Sequence, residues 1–242
     1  MSGYQMTFRR YELKYLLNES TYRLLRERLE EKMQEDQYGE TAVCSIYFDT
    51  PDARLIRESL EKPVYKEKLR LRSYGVPDPG SEVFVELKKK YKGVVYKRRE
   101  KMVLSEAWEY LCSRRRPGFD SQILREIDWI LSYYGNLAPA MYLSCERTAM
   151  CGREETELRI TFDRQIRWRD SQLKLSRGVW GKEILEPGQR LMEIKVANAM
   201  PLWLTELLDQ FKIYPVSFSK YGRAYQEQLI QKAEIKGGQN CA

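Results

Sequence analysis

Several short stretches of this chain place charged side chains at every second position, and the chemistry open to them is the holding of a polyanion. Lys66, Lys68, Arg70 and Arg72 occupy alternate positions, with Leu69 and Leu71 between them. The next such stretch sets Glu82, Glu86, Lys88 and Lys90 opposite Val83, Val85 and Leu87. The same alternation gives Arg10, Glu12 and Lys14 opposite Tyr11, Leu13 and Tyr15, and then Glu157, Arg159, Thr161 and Asp163 opposite Leu158, Ile160 and Phe162. Glu193 and Lys195 stand opposite Met192, Ile194 and Val196. A period of two is that of a β-strand, so each segment has one charged and one apolar face. A solvated antiparallel sheet shows the same alternation. Here the faces are biased to Arg and Lys with one or two Glu each, the composition of an anion site that also takes a metal. Val94 to Leu104 is mixed in phase, with Lys97 and Arg99 on one side and Arg98 on the other.

The rest of the composition narrows the chemistry. Among 242 residues there are 42 Lys and Arg, 35 Asp and Glu, and no histidine. Ser-His and Cys-His nucleophile pairs and His-ligated zinc are excluded, so any catalysis rests on carboxylates, Lys, Arg, Tyr, thiols or an oxygen-held metal. The net charge of +7 favours anionic partners. Five cysteines (Cys44, Cys112, Cys145, Cys151 and Cys241) form no C-x-x-C pair, which reads as reduced intracellular thiols. With charge inside the N-terminal stretch and no long apolar run, a cytoplasmic protein without a transmembrane segment is expected.

The elements that must position these residues are mostly strands. Alternation predicts them at Thr7 to Leu16, Val43 to Thr50, Val64 to Tyr74, Glu82 to Tyr91, Val94 to Leu104, Ala140 to Met150, Glu157 to Arg164 and Arg190 to Val196, with a weaker one at Ile166 to Asp170. Helices are expected after the caps Asn18, Ser105 and Asp120, from Pro201, and from near Ser219. The Asn18 helix carries Tyr22, Leu25, Leu29 and Met33 on one face. Asp49 reads as a cap for a following helix or turn, and the Tyr and Trp of the helices read as core. The fold class expected is α+β: an eight-stranded antiparallel β-barrel tunnel with a charged interior and helices packed outside. One domain is expected over residues 1–233, followed by a flexible polar tail, 234–242. A charged barrel interior repels itself unless a multivalent anion and water fill it.

Eight blocks in order, RRYELKYLL, IYFDTPD, KLRLRSYG, VFVELKKKYKGVVYKRR, ERTAM, LRITFDR, LMEIKV and SFSKYGRAY, resemble the VTC (vacuolar transporter chaperone) domain. This is the polyphosphate polymerase branch of the triphosphate tunnel metalloenzymes, a CYTH-like superfamily, and the resemblance runs from about Phe8 to Tyr225. It implies a tunnel that binds the triphosphate of ATP, uses Mn2+ or Mg2+, and transfers the terminal phosphate onto a polyphosphate chain. It also implies roles for residues. Lys14 contacts phosphate; Arg70, Arg72 and Lys88 form a basic wall; Arg147 and Arg159 clamp the triphosphate; Ser219 and Lys220 close the phosphate site. Glu193 holds the metal, with Glu12 beside it.

This sequence departs from the pattern at two points. Arg10 replaces the first of two alternating glutamates, which removes a metal carboxylate and suits the polymerase branch better than the triphosphatase branch. Cys145 stands where the family usually has a Tyr, which takes away a hydroxyl contact to phosphate. A tunnel triphosphatase or nucleotide hydrolase, and a non-catalytic polyphosphate-binding module, stay open as alternatives. Nucleic acid is not an expected partner, because the cations alternate with Glu and lack a stacking platform. A membrane-protein partner is left open. Glu12 and Glu86 are balanced between a place beside the metal and ion pairing; Lys90 and Lys97 read as solvated or entrance charges, and Arg114 to Arg116 as an exposed basic patch.

Overall fold

In the computed structural model, residues 11–92, 94–197 and 199–239 are described. The predicted strand start at Thr7, together with Arg10, the first residues of the RRYELKYLL block and Cys241, lies outside them. Eight strands form one antiparallel path in the order β1 (Tyr11–Leu17), β10 (Arg190–Val196), β8 (Arg159–Arg169), β7 (Ala138–Gly152), β3 (Thr41–Asp49), β4 (Tyr65–Tyr74), β5 (Glu82–Tyr91) and β6 (Val94–Val103). Short strands β2 (Met33–Glu35) and β9 (Lys182–Glu183) pair with β7 and β8. The sheet curls but is not hydrogen-bonded into a closed barrel: among the described residues β1 and β6 share no ladder. A Lys88–Glu12 ion pair of 2.9 Å spans from β5 to β1. The chain before the last helix runs along the free edge of β1, where the Val216 N–H donates to the Lys14 carbonyl at 2.7 Å.

The apolar faces decide which way the charged faces turn. Leu69, Leu71, Val83, Val85 and Leu87 are covered by α3 (Leu104–Ser113) and α4 (Gln122–Tyr134) in one core. Tyr15, Ile160, Phe162, Met192 and Ile194 are covered by α1 (Glu19–Leu29) and α5 (Leu202–Gln210) in a second. Covering large apolar side chains contributes about 1.5–3 kcal/mol each. Helices outside therefore force the alternate, charged residues inward, as the binary pattern requires.

Several local predictions are revised by the structure. Asn18 caps α1 by accepting from the Thr21 N–H, but Met33 lies in β2, beyond the helix. Ser121, not Asp120, caps α4; Asp120 instead pairs with Arg116 and Arg125. Asp49 accepts the Leu55 and Ile56 N–H groups at the start of a helix the sequence left unresolved, α2 (Arg54–Leu60). The last helix, α6 (Lys220–Gln239), starts as expected after Ser219, which accepts the Gly222 N–H, and it continues to Gln239, into the segment read as a tail. Gly222 lets α6 pack closely there: a Cβ would lie 2.9 Å from Leu60 Cδ2 of α2 and 3.2 Å from Ser219 Oγ. Trp129 and Tyr133 of α4 are exposed rather than core.

The weak strand at Ile166 to Asp170 is the second half of β8. Gln165, at φ 49°, sits at a bulge where the β7–β8 register shifts. The bulge resets the in–out alternation, so one strand reads in sequence as two.

Candidate functional site

The inward faces enclose a cavity of about 590 Å³, lined among the described residues by twelve Lys and Arg and three Glu. On the β4 wall, register sets Lys66 opposite Lys90 and Lys68 opposite Lys88, like charges facing across a ladder, while Arg70 faces Glu86. Arg70 donates to Glu86 at 2.6 and 2.7 Å and to the Tyr47 phenol oxygen at 3.0 Å. Arg72 lies 3.6 Å from Glu86 and donates to Ser45 Oγ at 3.2 Å. Lys97 of β6 reaches the same carboxylate at 2.6 Å, so it is an ion-pair partner of a buried acid and not merely an entrance charge. Glu86 is 1 % exposed. Burial pushes its carboxyl up, but Arg70, Arg72 and Lys97 outweigh that and hold it well below the usual carboxylate range.

A second buried acid organises the opposite wall. Asp163 of β8, fully buried, accepts from Arg147 of β7 at 2.6 and 2.8 Å and also pairs with Lys220 at the start of α6. Against the effect of burial, these two cations hold its carboxyl far below the ordinary range, while the Lys220 ammonium is raised by Asp163. Ser219 accepts from Lys68 at 3.3 Å, which ties α6 to the β4 wall.

The third group lies on β1 and β10, where Lys14 faces Glu193 and Glu12 faces Lys195 across the ladder. Lys14 donates to the Phe218 carbonyl at 2.6 Å, and Lys195 approaches Glu193 no closer than 3.7 Å. Burial lowers Lys14, and it lowers Lys68 and Lys195 to about 8 despite their anionic neighbours. Glu193, 8 % exposed, is held well below the usual range; burial opposes this, and Lys195, Lys14, Lys220 and Lys88 bring it about.

Of the residues singled out in the sequence, Lys14, Arg70, Arg72, Lys88, Arg147, Ser219, Lys220, Glu12 and Glu193 line this one cavity. Arg159 does not. Its side chain is 49 % exposed and bonded to Asp36 at 3.0 Å, although its β10 partner Lys195 lines the cavity, and Asp163 of the same strand is the residue that pairs with the lining cations Arg147 and Lys220. Tyr47, Lys68 and Lys195 belong to the lining and were not assigned roles. Lys68 and Lys195 were legible from alternation alone; Tyr47 lies in a run that is buried on both faces and offers no alternation to read. Cys145 lines the cavity as a buried thiol pushed up to about 11, chiefly by burial, and supplies no hydroxyl there. Arg114 to Arg116 are exposed, as expected, but each is engaged: Arg114 donates to three carbonyls, Arg115 pairs with Glu109, and Arg116 pairs with Asp120 and Asp128.

Among the described residues no group of three or more Cys, Asp and Glu could cage a metal. Magnesium-like ions are commonly held by one or two carboxylates plus substrate phosphates, and Glu193, with Glu12 beside it, fits that donor set. Glu86 and Asp163 do not, since their oxygens are committed to two or three cations each.

The family's sequence profile for the VTC domain matches residues 9–228. The chain is a member of the VTC domain family. No curated protein matches it. Among solved structures it is similar to a Bacillus halodurans protein described provisionally as an adenylate cyclase, at 16 % identity and TM-score 0.55, covering 89 % of this chain and 96 % of that one. A Vibrio parahaemolyticus protein with the same provisional description matches at 12 % identity and TM-score 0.49, over 90 % and 98 % of the two chains. The first likeness shows that this VTC domain shares its fold. No described helix is long and apolar enough to cross a membrane.

Proposed function

We propose that this VTC domain is a metal-dependent polyphosphate polymerase that transfers the terminal phosphate of ATP onto a polyphosphate chain inside the cavity. The observation that carries the reading is the surplus of cations facing one interior, with Glu193 an inward carboxylate that makes no short bond among the described residues. Arg70, Arg72 and Arg147 are already oriented by buried acids, so they meet the equatorial oxygens of a transferring phosphoryl group with little reorganisation. Lys14, Lys68, Lys88 and Lys195 supply point charges along a chain. Glu193, joined by Glu12 once Lys88 turns to the phosphate, would hold a divalent cation, which would supply neutralisation of the phosphate charge.

In the transfer, an oxygen of the chain's terminal phosphate attacks the γ-phosphorus, the bond to the β–γ bridging oxygen breaks, and ADP leaves with the electron pair. A phosphate acceptor arrives ionised and needs no general base. That suits walls whose buried acids, Glu86 and Asp163, are taken up by three and two cations, and where Glu193 is reserved for the metal. Hydrolysis would call for a carboxylate free to activate water.

Incubating the protein with ATP and Mn2+ or Mg2+ tests the proposal. The expected products are ADP and phosphate chains resolvable on a gel. Orthophosphate without polymer would favour a triphosphatase, and tight polyphosphate binding without turnover would favour a binding module.

A further inference from the structure

Tyr47 and Tyr221 are stacked phenols, with ring centroids 4.6 Å apart and planes 25° from parallel, yet their hydroxyls face opposite surroundings. Tyr221, on α6, donates to Asp49 at 2.8 Å, and burial together with that carboxylate pushes it far up. The Tyr47 oxygen points into the cavity and accepts from Arg70 at 3.0 Å. Arginine only donates, so this bond uses the phenol's lone pair and leaves its hydrogen to find another partner. Among the described residues there is none within hydrogen-bond reach. The charged groups around the oxygen are Lys68, Arg70 and Arg72 of β4, with Glu86 of β5 beyond Arg70; on the β7 side Met141 and Leu143 bring no charge. Lys68 also lies within 5.9 Å of the Tyr221 ring.

A buried oxygen that accepts from one guanidinium in the field of two further cations, with no acceptor for its own proton among the described residues, is an anion site that the protein has filled with its own side chain. We infer that Tyr47 is an internal anionic partner of the Lys68–Arg70–Arg72 row, able to release its proton while the cavity holds no anion and made to take it back when a phosphate chain takes over those cations. Burial alone would raise the phenol, but the three cations outweigh it and bring it down to about 7. An incoming polyphosphate adds negative charge beside the phenolate and competes for Arg70, and both effects return the proton. The inference rests on the triphosphate reading of the cavity and adds to it a linkage: anion binding takes up a proton on a tyrosine. It also makes Tyr47 a positioning residue for Arg70.

The test is the near-ultraviolet tyrosinate band of the full chain followed over about pH 6 to 9, alone and with inorganic tripolyphosphate, in the wild type and in Tyr47→Phe. Calorimetry on the same samples reports binding. Expected is a single tyrosine titrating near 7 in the wild type, absent in Tyr47→Phe, and shifted upward by saturating tripolyphosphate. Because other lysines also gain protons on binding, the proton uptake measured in buffers of different ionisation heat should fall, not vanish, in Tyr47→Phe. The inference is overturned alone if tripolyphosphate binds while no tyrosine titrates below about pH 9, or while the band stays put. It is overturned together with the site reading if tripolyphosphate does not bind. Should Tyr47→Phe fail to fold, the wild-type band with and without tripolyphosphate still decides the matter.

Discussion

On the β4–β5–β6 wall, Arg70, Arg72 and Lys97 converge on one carboxylate, Glu86, at 2.6 to 3.6 Å, whereas on the β1–β10 wall Lys195 stays 3.7 Å from Glu193 and Lys14 turns to a backbone carbonyl. Both walls are basic and each holds a buried acid among its inward cations. The difference is in what the acid is committed to. Glu86 sets the directions of cations that would otherwise repel one another, so its wall is built before a ligand arrives. Glu193 leaves its oxygens and its lysines to be completed by something else, which is what a metal–phosphate ligand requires.

Removing the two acids should therefore have unequal consequences. Glu86→Ala takes from Arg70, Arg72 and Lys97 the carboxylate they share and should cost about 3–5 kcal/mol of stability, read by denaturant unfolding, with saturating tripolyphosphate restoring part of it. Glu193→Ala should cost several-fold less stability while weakening the metal dependence of binding. Equal losses in the two variants would erase the distinction between the walls.

The open wall should show itself next in affinity. Lys14→Ala or Lys195→Ala should weaken tripolyphosphate binding about tenfold, or about 1.4 kcal/mol, with little loss of stability. Burial disfavours both ammonium groups, which offsets what the fold loses with them, the Lys14 bond to the Phe218 carbonyl and the cations beside Glu193.

The pH dependence sharpens the same point. Lys68 and Lys195 have pKa values lowered from 10.5 to about 8. A lysine lowered on folding opposes the folded state while charged, so without ligand its penalty is present below about 8 and is relieved as pH climbs towards 10.5. Anion binding reverses the preference by favouring the charged form, so affinity should fall as pH rises through about 8. Lys68→Arg, which stays charged, should flatten that fall; an unchanged slope would remove Lys68 from the account.

The smallest effect is expected at Arg159, which is half exposed and bonded to Asp36 outside the cavity. Arg159→Ala should change tripolyphosphate affinity less than about twofold.

The walls were legible in the sequence to different depths. Alternation gave the inward faces of β4, β5 and β10 directly, because each pairs a charged face with an apolar one covered by helices. It failed for β3, whose residues are buried on both faces, so Tyr47 gave no sign of its place, and for β8, where the bulge at Gln165 broke one strand into two. Periodicity also cannot say how far along an inward face the cavity extends, which is why Arg159 and Asp163 read alike and only Asp163 turns to Arg147. The roles of Glu86 and Asp163 as shared counter-ions depend on cations from two or three different elements meeting at one carboxylate, a convergence that no local pattern encodes.

The most direct test of the central claim is a crystal structure with tripolyphosphate and Mn2+. The account predicts phosphate oxygens between the Arg70–Arg72 row and Lys14 and Lys195, the metal against Glu193, and Glu86 still bonded to its cations. An anion bound outside the cavity, or a metal held by Glu86 with Arg70 and Arg72 displaced, would contradict it.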